Sequence, residues 1–182
     1  MIDVNKLKKW AGEIHANAVA HGWHEEYHSP EHYLGLIMTE VAEAVEADRK
    51  DKRVNEDAYL SQFVGHNTWY QNFVKGTVEE EFADIIIRLL DMSMALYGEL
   101  QWYNFDGFFH GYGGVYYNRV DSFVENAWVF VHYQLNKNVY DIIKSIQFVY
   151  LWAEHLGIDL DQHIEWKMKY NTLREYKHGK KY

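Results

Sequence analysis

Residues Ser29 to Arg49, SPEHYLGLIMTEVAEAVEADR, decide the fold. Ser29 can cap a helix, Pro30 suits its first position, and Glu31 favours the positive end of the helix dipole. Leu34, Met38, Val41 and Val45 recur at helical spacing and predict a core-facing stripe. Stepping around the same helix, Glu40 falls among Tyr33, Leu36, Ile37, Ala44 and Ala47. A solvated acid has polar neighbours on its own face, and these are apolar. Glu43 sits beside Glu40 at i+3, so the helix carries two carboxylates into a half-buried place, where charge is costly unless something pairs with it.

A second stretch answers the first. In TVEEEFADIIIRLLDMSMALYG, Thr77 and Glu80 have capping-box spacing just after Gly76. Phe82, Ile85, Leu89, Met92 and Leu96 form the apolar stripe, and Glu81 and Asp84 lie together at i, i+3. Two helices that each offer two acids can gather Glu40, Glu43, Glu81 and Asp84 around one point. At about 4 Å and an effective dielectric of about 20, each like-charge pair repels by about 4 kcal/mol. Such a cluster makes sense around a cation, and an all-oxygen ligand set suits magnesium, with manganese able to substitute. Arg88 reads as an ion-pair partner for these acids.

The remaining chain reads as helical around these two segments. Asp3 caps a helix from about Val4 to Ala20, with Leu7, Trp10, Ile14 and Ala18 inward, and Gly22 stops it. Residues 50–76 read as an insertion with short helical pieces broken near Gly65. Residues 98–138 read as a second insertion, rich in glycine and aromatics in QWYNFDGFFHGYGGVYYNR, and regaining helical period from Asp121 to Leu135 through Phe123, Trp128 and Val131. Tyr140 to Leu156 forms a further helix. Asp159 caps a final one, from Leu160 to about Glu175, with His163, Trp166, Tyr170 and Leu173 on one stripe and Lys167, Asn171 and Arg174 on another. A point charge, an amide and a planar fork on one face can grip neighbouring phosphate oxygens. Lys180 and the adjacent basic tail extend the positive strip. The expected architecture is a single all-α domain over residues 1–182, a helical bundle with a four-helix core around a carboxylate metal site.

Bulk composition narrows the function. The 182 residues are 48% hydrophobic and 25% charged, as in an ordinary globular domain. A net charge of −9 argues against binding duplex nucleic acid. There is no cysteine, so thiolate metal sites and disulfides are excluded. No apolar run is long enough to span a membrane and no signal-peptide pattern opens the chain, so a cytoplasmic location is expected.

Glu40-x-x-Glu43 in TEVAEAVEADR, Glu81-x-x-Asp84 in EEEFADIIIRLLD and the segment LGIDLDQHIEWKMKYNTLREYKHGKKY together resemble the MazG-like all-α NTP pyrophosphohydrolase superfamily. The resemblance implies magnesium-dependent hydrolysis of a nucleoside triphosphate to a monophosphate and pyrophosphate. It implies that Glu40, Glu43, Glu81 and Asp84 hold metal, that one of them or a neighbouring acid helps activate water, and that Lys167, Asn171 and Arg174 touch phosphates. Trp23 and His24, just before the central helix, are placed for contact with the base. A homodimer or larger oligomer is expected. The chain departs from the pattern in a long gap between Glu43 and Glu81, in the added 98–138 region, and in Glu175 where proline is expected. The alternative is a non-catalytic helical module of the same fold that binds a nucleotide or a protein. A di-iron bundle needs paired E-x-x-H motifs on facing helices, and Glu25-x-x-His28 has no clear counterpart.

Overall fold

The computed structural model describes residues 2–55, 65–100, 122–136 and 138–179. The aromatic insertion between 101 and 121, and Lys180 with the end of the tail, lie outside the described residues, as does 56–64.

The described residues are all helical, with no strand among them. Seven α-helices are described: α1 (Val4–Ala20), α2 (Pro30–Arg49), α3 (His66–Phe73), α4 (Val78–Tyr97), α5 (Phe123–Val129), α6 (Val139–His155) and α7 (Leu160–Asn171). A π-helical turn, Phe130–Gln134, continues α5, and a 3-10 turn, Tyr176–Gly179, follows α7. The expected caps are present: the side chains of Asp3, Ser29, Thr77 and Asp159 accept backbone N–H groups of the helices they open. Among the described residues, no helix is long and apolar enough to cross a membrane.

Helix α4 is the centre. Thirteen of its twenty residues are buried, and α1, α2, α6 and α7 all pack against it. This all-round burial follows from the run FADIIIRLLDM, which has apolar side chains on every face. Helix α2 presents Tyr33, Ile37, Glu40, Val41, Ala44 and Ala47 to the core. The inward face is therefore the strip that contains Glu40. The Leu34–Met38–Val41–Val45 stripe expected to face the core is corrected: Val41 is buried, Leu34 and Val45 are only partly covered, and Met38 is 49% exposed. Ala44 and Ala47 let α2 approach α4 closely, and that contact selects which of two apolar strips turns inward. Trp128, on the helical period of residues 121–135, and Leu173, on the stripe of the last helix, are exposed.

A second, smaller core joins the 50–76 insertion to α7. Trp69, Tyr70 and Val74 pack with Tyr170, and the Tyr70 and Tyr170 rings stack with centroids 4.4 Å apart. The final helix ends at Asn171, earlier than the expected Glu175, so Arg174 stands in the turn beyond it.

After that turn the chain crosses back onto the α1–α2 link. The Lys177 backbone N–H donates to His21 O at 2.9 Å, and His21 Nε2 lies 3.1 Å from Arg174 O. The Tyr176 hydroxyl donates to Glu25. The Tyr176 ring covers Gly22, whose φ is +82° and where a Cβ would overlap the ring. Replacing Gly22 with Ala combines a left-handed backbone cost of about 1–2 kcal/mol with displacement of this ring. Gly22→Ala is expected to lower stability by about that amount in urea denaturation and to open the tail to proteolysis after Lys177. Unchanged stability together with an unchanged cleavage pattern would contradict the clamp.

Candidate functional site

One cavity of about 640 Å³ opens between α1, α2, α4, α7 and the α1–α2 link. It is lined by nine of the ten residues expected from sequence: Trp23, His24, Glu40, Glu43, Glu81, Asp84, Lys167, Asn171 and Arg174. The tenth, Lys180, lies outside the described residues.

The acids divide into two groups. Glu40, Glu43 and Glu81 each offer a carboxylate oxygen within 4.8 Å of the other two. Asp84 is turned to Lys167, whose Nζ lies 2.6 Å from Asp84 Oδ2 and 2.6 Å from Glu80 Oε1. Glu80 was expected only as a helix-capping residue. It does accept the Gly76 backbone N–H, and it joins these four acids in lining the cavity. Arg88 donates through Nε to Glu40, the ion pair expected from sequence.

The electrostatics follow from burial. Arg88 and Lys167 supply two positive charges against the five carboxylates of Glu40, Glu43, Glu80, Glu81 and Asp84. Burial pushes the Glu40 carboxyl up, nearby Asp84 adds to this, and Arg88 opposes it. Burial likewise raises Glu81, reinforced by Asp84, Glu80, Glu40 and Glu43, to about 9. Glu81 is 4% exposed, and its Oε2 has no hydrogen-bond partner. Burial alone would lower the Lys167 ammonium, but Asp84 and Glu80 outweigh it and hold it above its ordinary value. Lys167 is thus 95% enclosed and engaged by protein carboxylates, with the Tyr70 and Tyr170 rings 5.8 and 5.9 Å from its nitrogen.

The free positive charge lies elsewhere on the wall. Lys75, Lys169 and Arg174 line the cavity and form no ion pair among the described residues. Arg174 leans over the Tyr170 ring at 5.6 Å. Asn171 faces the same space, with its Oδ1 buried and unpartnered.

Sequence reasoning missed part of the wall. Asp91, on α4, accepts from His15 Nδ1 at 2.8 Å and from His24 Nε2 at 3.0 Å. Burial would raise the Asp91 carboxyl, but the His15 and His24 hydrogen bonds outweigh it and hold it low. The same Asp91 bond holds His15 above its ordinary value against burial. His28 and His32 also line the cavity, their rings stacked 4.2 Å apart. A signal for Asp91 existed: Glu81, Asp84, Arg88 and Asp91 recur at i, i+3, i+7 and i+10 on an otherwise apolar helix. Nothing local in the sequence ties His15 to that stripe.

No protein-family model matches this chain, and neither a curated protein nor a solved structure matches it.

The Glu40, Glu43 and Glu81 oxygens suit a hard divalent cation in charge, ligand type and spacing. The buried, unpartnered Glu81 oxygen is the observation that fits such an ion, because a carboxylate there has no other compensation. This has a stability consequence. The folded state keeps the Glu81 proton up to about pH 9, whereas the ordinary value is 4.5. Between those limits the folded state binds more protons than the unfolded chain, so stability falls as pH rises through the window. In chelator at pH 8, Glu81→Gln is expected to be more stable than the parent by at least about 1.4 kcal/mol, one pKa unit. The difference should vanish near pH 4, and magnesium should stabilise the parent but not the variant. A parent more stable than Glu81→Gln in chelator at pH 8 would contradict this reading.

Proposed function

We propose that the chain is a magnesium-dependent nucleoside triphosphate pyrophosphohydrolase, cleaving between the α- and β-phosphates. The observation that carries the reading is the convergence of three acids, Glu40, Glu43 and Glu81, on one cavity that Lys75, Lys169 and Arg174 also line. An anionic ligand that meets both a bound metal and free cations fits that combination of charges. The resemblance of these acid pairs to MazG-like enzymes supports the same reaction class.

Glu40, Glu43 and Glu81 would hold the ion, with Asp84 and Glu80 kept beside it by Lys167. Magnesium supplies charge neutralisation and Lewis acidity at the phosphate oxygens. Arg174, Lys169 and Lys75 bind the phosphate chain, and the Asn171 side-chain amide completes its grip. Trp23 and His24 contact the base or sugar at the α1–α2 link. Water attacks the α-phosphorus; the new P–O bond forms as the bond to the bridging oxygen breaks, and pyrophosphate leaves. Glu40 is committed to Arg88 and Glu81 is enclosed, so Glu43, the exposed member of the three, takes the water's proton. Arg88 fixes Glu40 and so positions one ligand arm.

The test is pyrophosphate release from a panel of ribo- and deoxyribonucleoside triphosphates. Release from one or a few of them is expected with magnesium and none with chelator. Glu40→Gln should lower kcat by at least about 100-fold, the size of a lost electrostatic stabiliser. Absence of release from every triphosphate, with folded protein and magnesium present, would overturn the enzyme and leave a nucleotide- or protein-binding module of this fold.

A further inference from the structure

The His15, His24 and Asp91 cluster forms a second grouping of metal-ligating atoms, separate from the three glutamates. His15 comes from α1, His24 from the α1–α2 link and Asp91 from α4, so three different segments converge. Their ligand atoms lie within 4.8 Å of one another. His15 Nδ1 is 2.8 Å from Asp91 Oδ1, and His24 Nε2 is 3.0 Å from Oδ1 and 3.1 Å from Oδ2. Four-coordinate zinc, with bonds of about 2.0–2.2 Å, sets neighbouring ligand atoms about 3.4 Å apart. The two nitrogens stand about 0.4 to 0.6 Å closer to Asp91 than that, a difference that side-chain rotations can take up.

The surroundings favour imidazole as a ligand here. Side-chain exposure is 25% at His15, 14% at His24 and 17% at Asp91, so the nitrogens are shielded. The other ring nitrogen of His24, Nδ1, lies 3.4 Å from the Tyr33 hydroxyl. That hydroxyl can accept from Nδ1–H in the tautomer that frees Nε2 for metal once the Asp91 hydrogen bond is given up. His24 and Asp91 both line the cavity, so the side of the cluster not taken by protein faces that space.

We propose that His15, His24 and Asp91 form a binding site for a borderline-soft divalent metal, zinc foremost, with a coordination position open to the cavity. Two nitrogens and one carboxylate are the ligand set of zinc, cobalt and nickel rather than magnesium. The two cation sites of the cavity would therefore differ in the ion they take. None of the three residues belongs to the glutamate cluster, so the inference stands apart from the proposed reaction; bound zinc would take His24 and leave Trp23 as the base contact.

The experiment uses the full chain without a histidine tag, freed of metal by chelator and titrated with cobalt(II) in the visible range. The expected result is one equivalent of cobalt per chain with the intense absorption of a low-coordinate site containing nitrogen, while cobalt held by the three glutamates adds only the weak absorption of an oxygen site. Zinc should abolish that absorption stoichiometrically. Asp91→Asn and His24→Gln should each weaken the binding that gives this intense absorption by more than about tenfold, while Glu40→Gln leaves that absorption unchanged. His24 lies outside the helices, so His24→Gln remains informative if Asp91→Asn disturbs folding. Absence of the intense absorption, a weak six-coordinate spectrum alone, or the full intense absorption retained in His24→Gln would each overturn the proposal.

Discussion

Enclosed negative charge is the constraint on which this structure depends. Helix α4 is surrounded on all sides, yet it carries Glu80, Glu81 and Asp84 near its start, and α2 adds Glu40 to the same region. Buried carboxylates persist only when paired or hydrogen-bonded. Lys167 answers Glu80 and Asp84 from α7, and Arg88 answers Glu40 from within α4. The charges that act most on Glu81 are those of acids, and its Oε2 has no hydrogen-bond partner. The imbalance falls at one point of a cavity wall, and that point is where the proposed magnesium belongs.

The less regular parts of the chain support this arrangement. The 50–76 insertion supplies α3, which stacks Tyr70 on Tyr170 and closes over Lys167. His66 Nε2 meets Trp166 O at 3.2 Å and ties the same two helices. On the opposite side the chain after α7 folds back over Gly22 and Glu25, which fixes the link that carries Trp23 and His24. Side chains from segments distant in sequence are thereby held around one cavity, with positioning done by packing rather than by the acids themselves.

Helix type, caps and order were legible in the sequence because they rest on local rules: Asp3, Ser29, Thr77 and Asp159 cap where expected. The unusual apolar setting of Glu40 was legible too, from neighbours on its own helix face. Which apolar strip of α2 turns inward was not, since two strips compete and only the partner helix chooses; Met38 is exposed for that reason. The role of Lys167 was also hidden. From its own helix it reads as a cation offered to an anion, and its pairing with Glu80 and Asp84 spans more than eighty residues of chain. Arg174 reaches the cavity by a turn rather than on the helix face that periodicity suggested. The His15–Asp91 contact left no local trace except the polar stripe on α4.

The central claim is that Glu40, Glu43 and Glu81 hold a divalent cation, and manganese provides its most direct test. A crystal of the protein grown with manganese and a non-hydrolysable triphosphate should show an anomalous peak within about 2.2 Å of oxygens from all three side chains. Phosphate oxygens should complete its coordination. Ordered triphosphate in the cavity with no anomalous density between these three carboxylates would contradict the account.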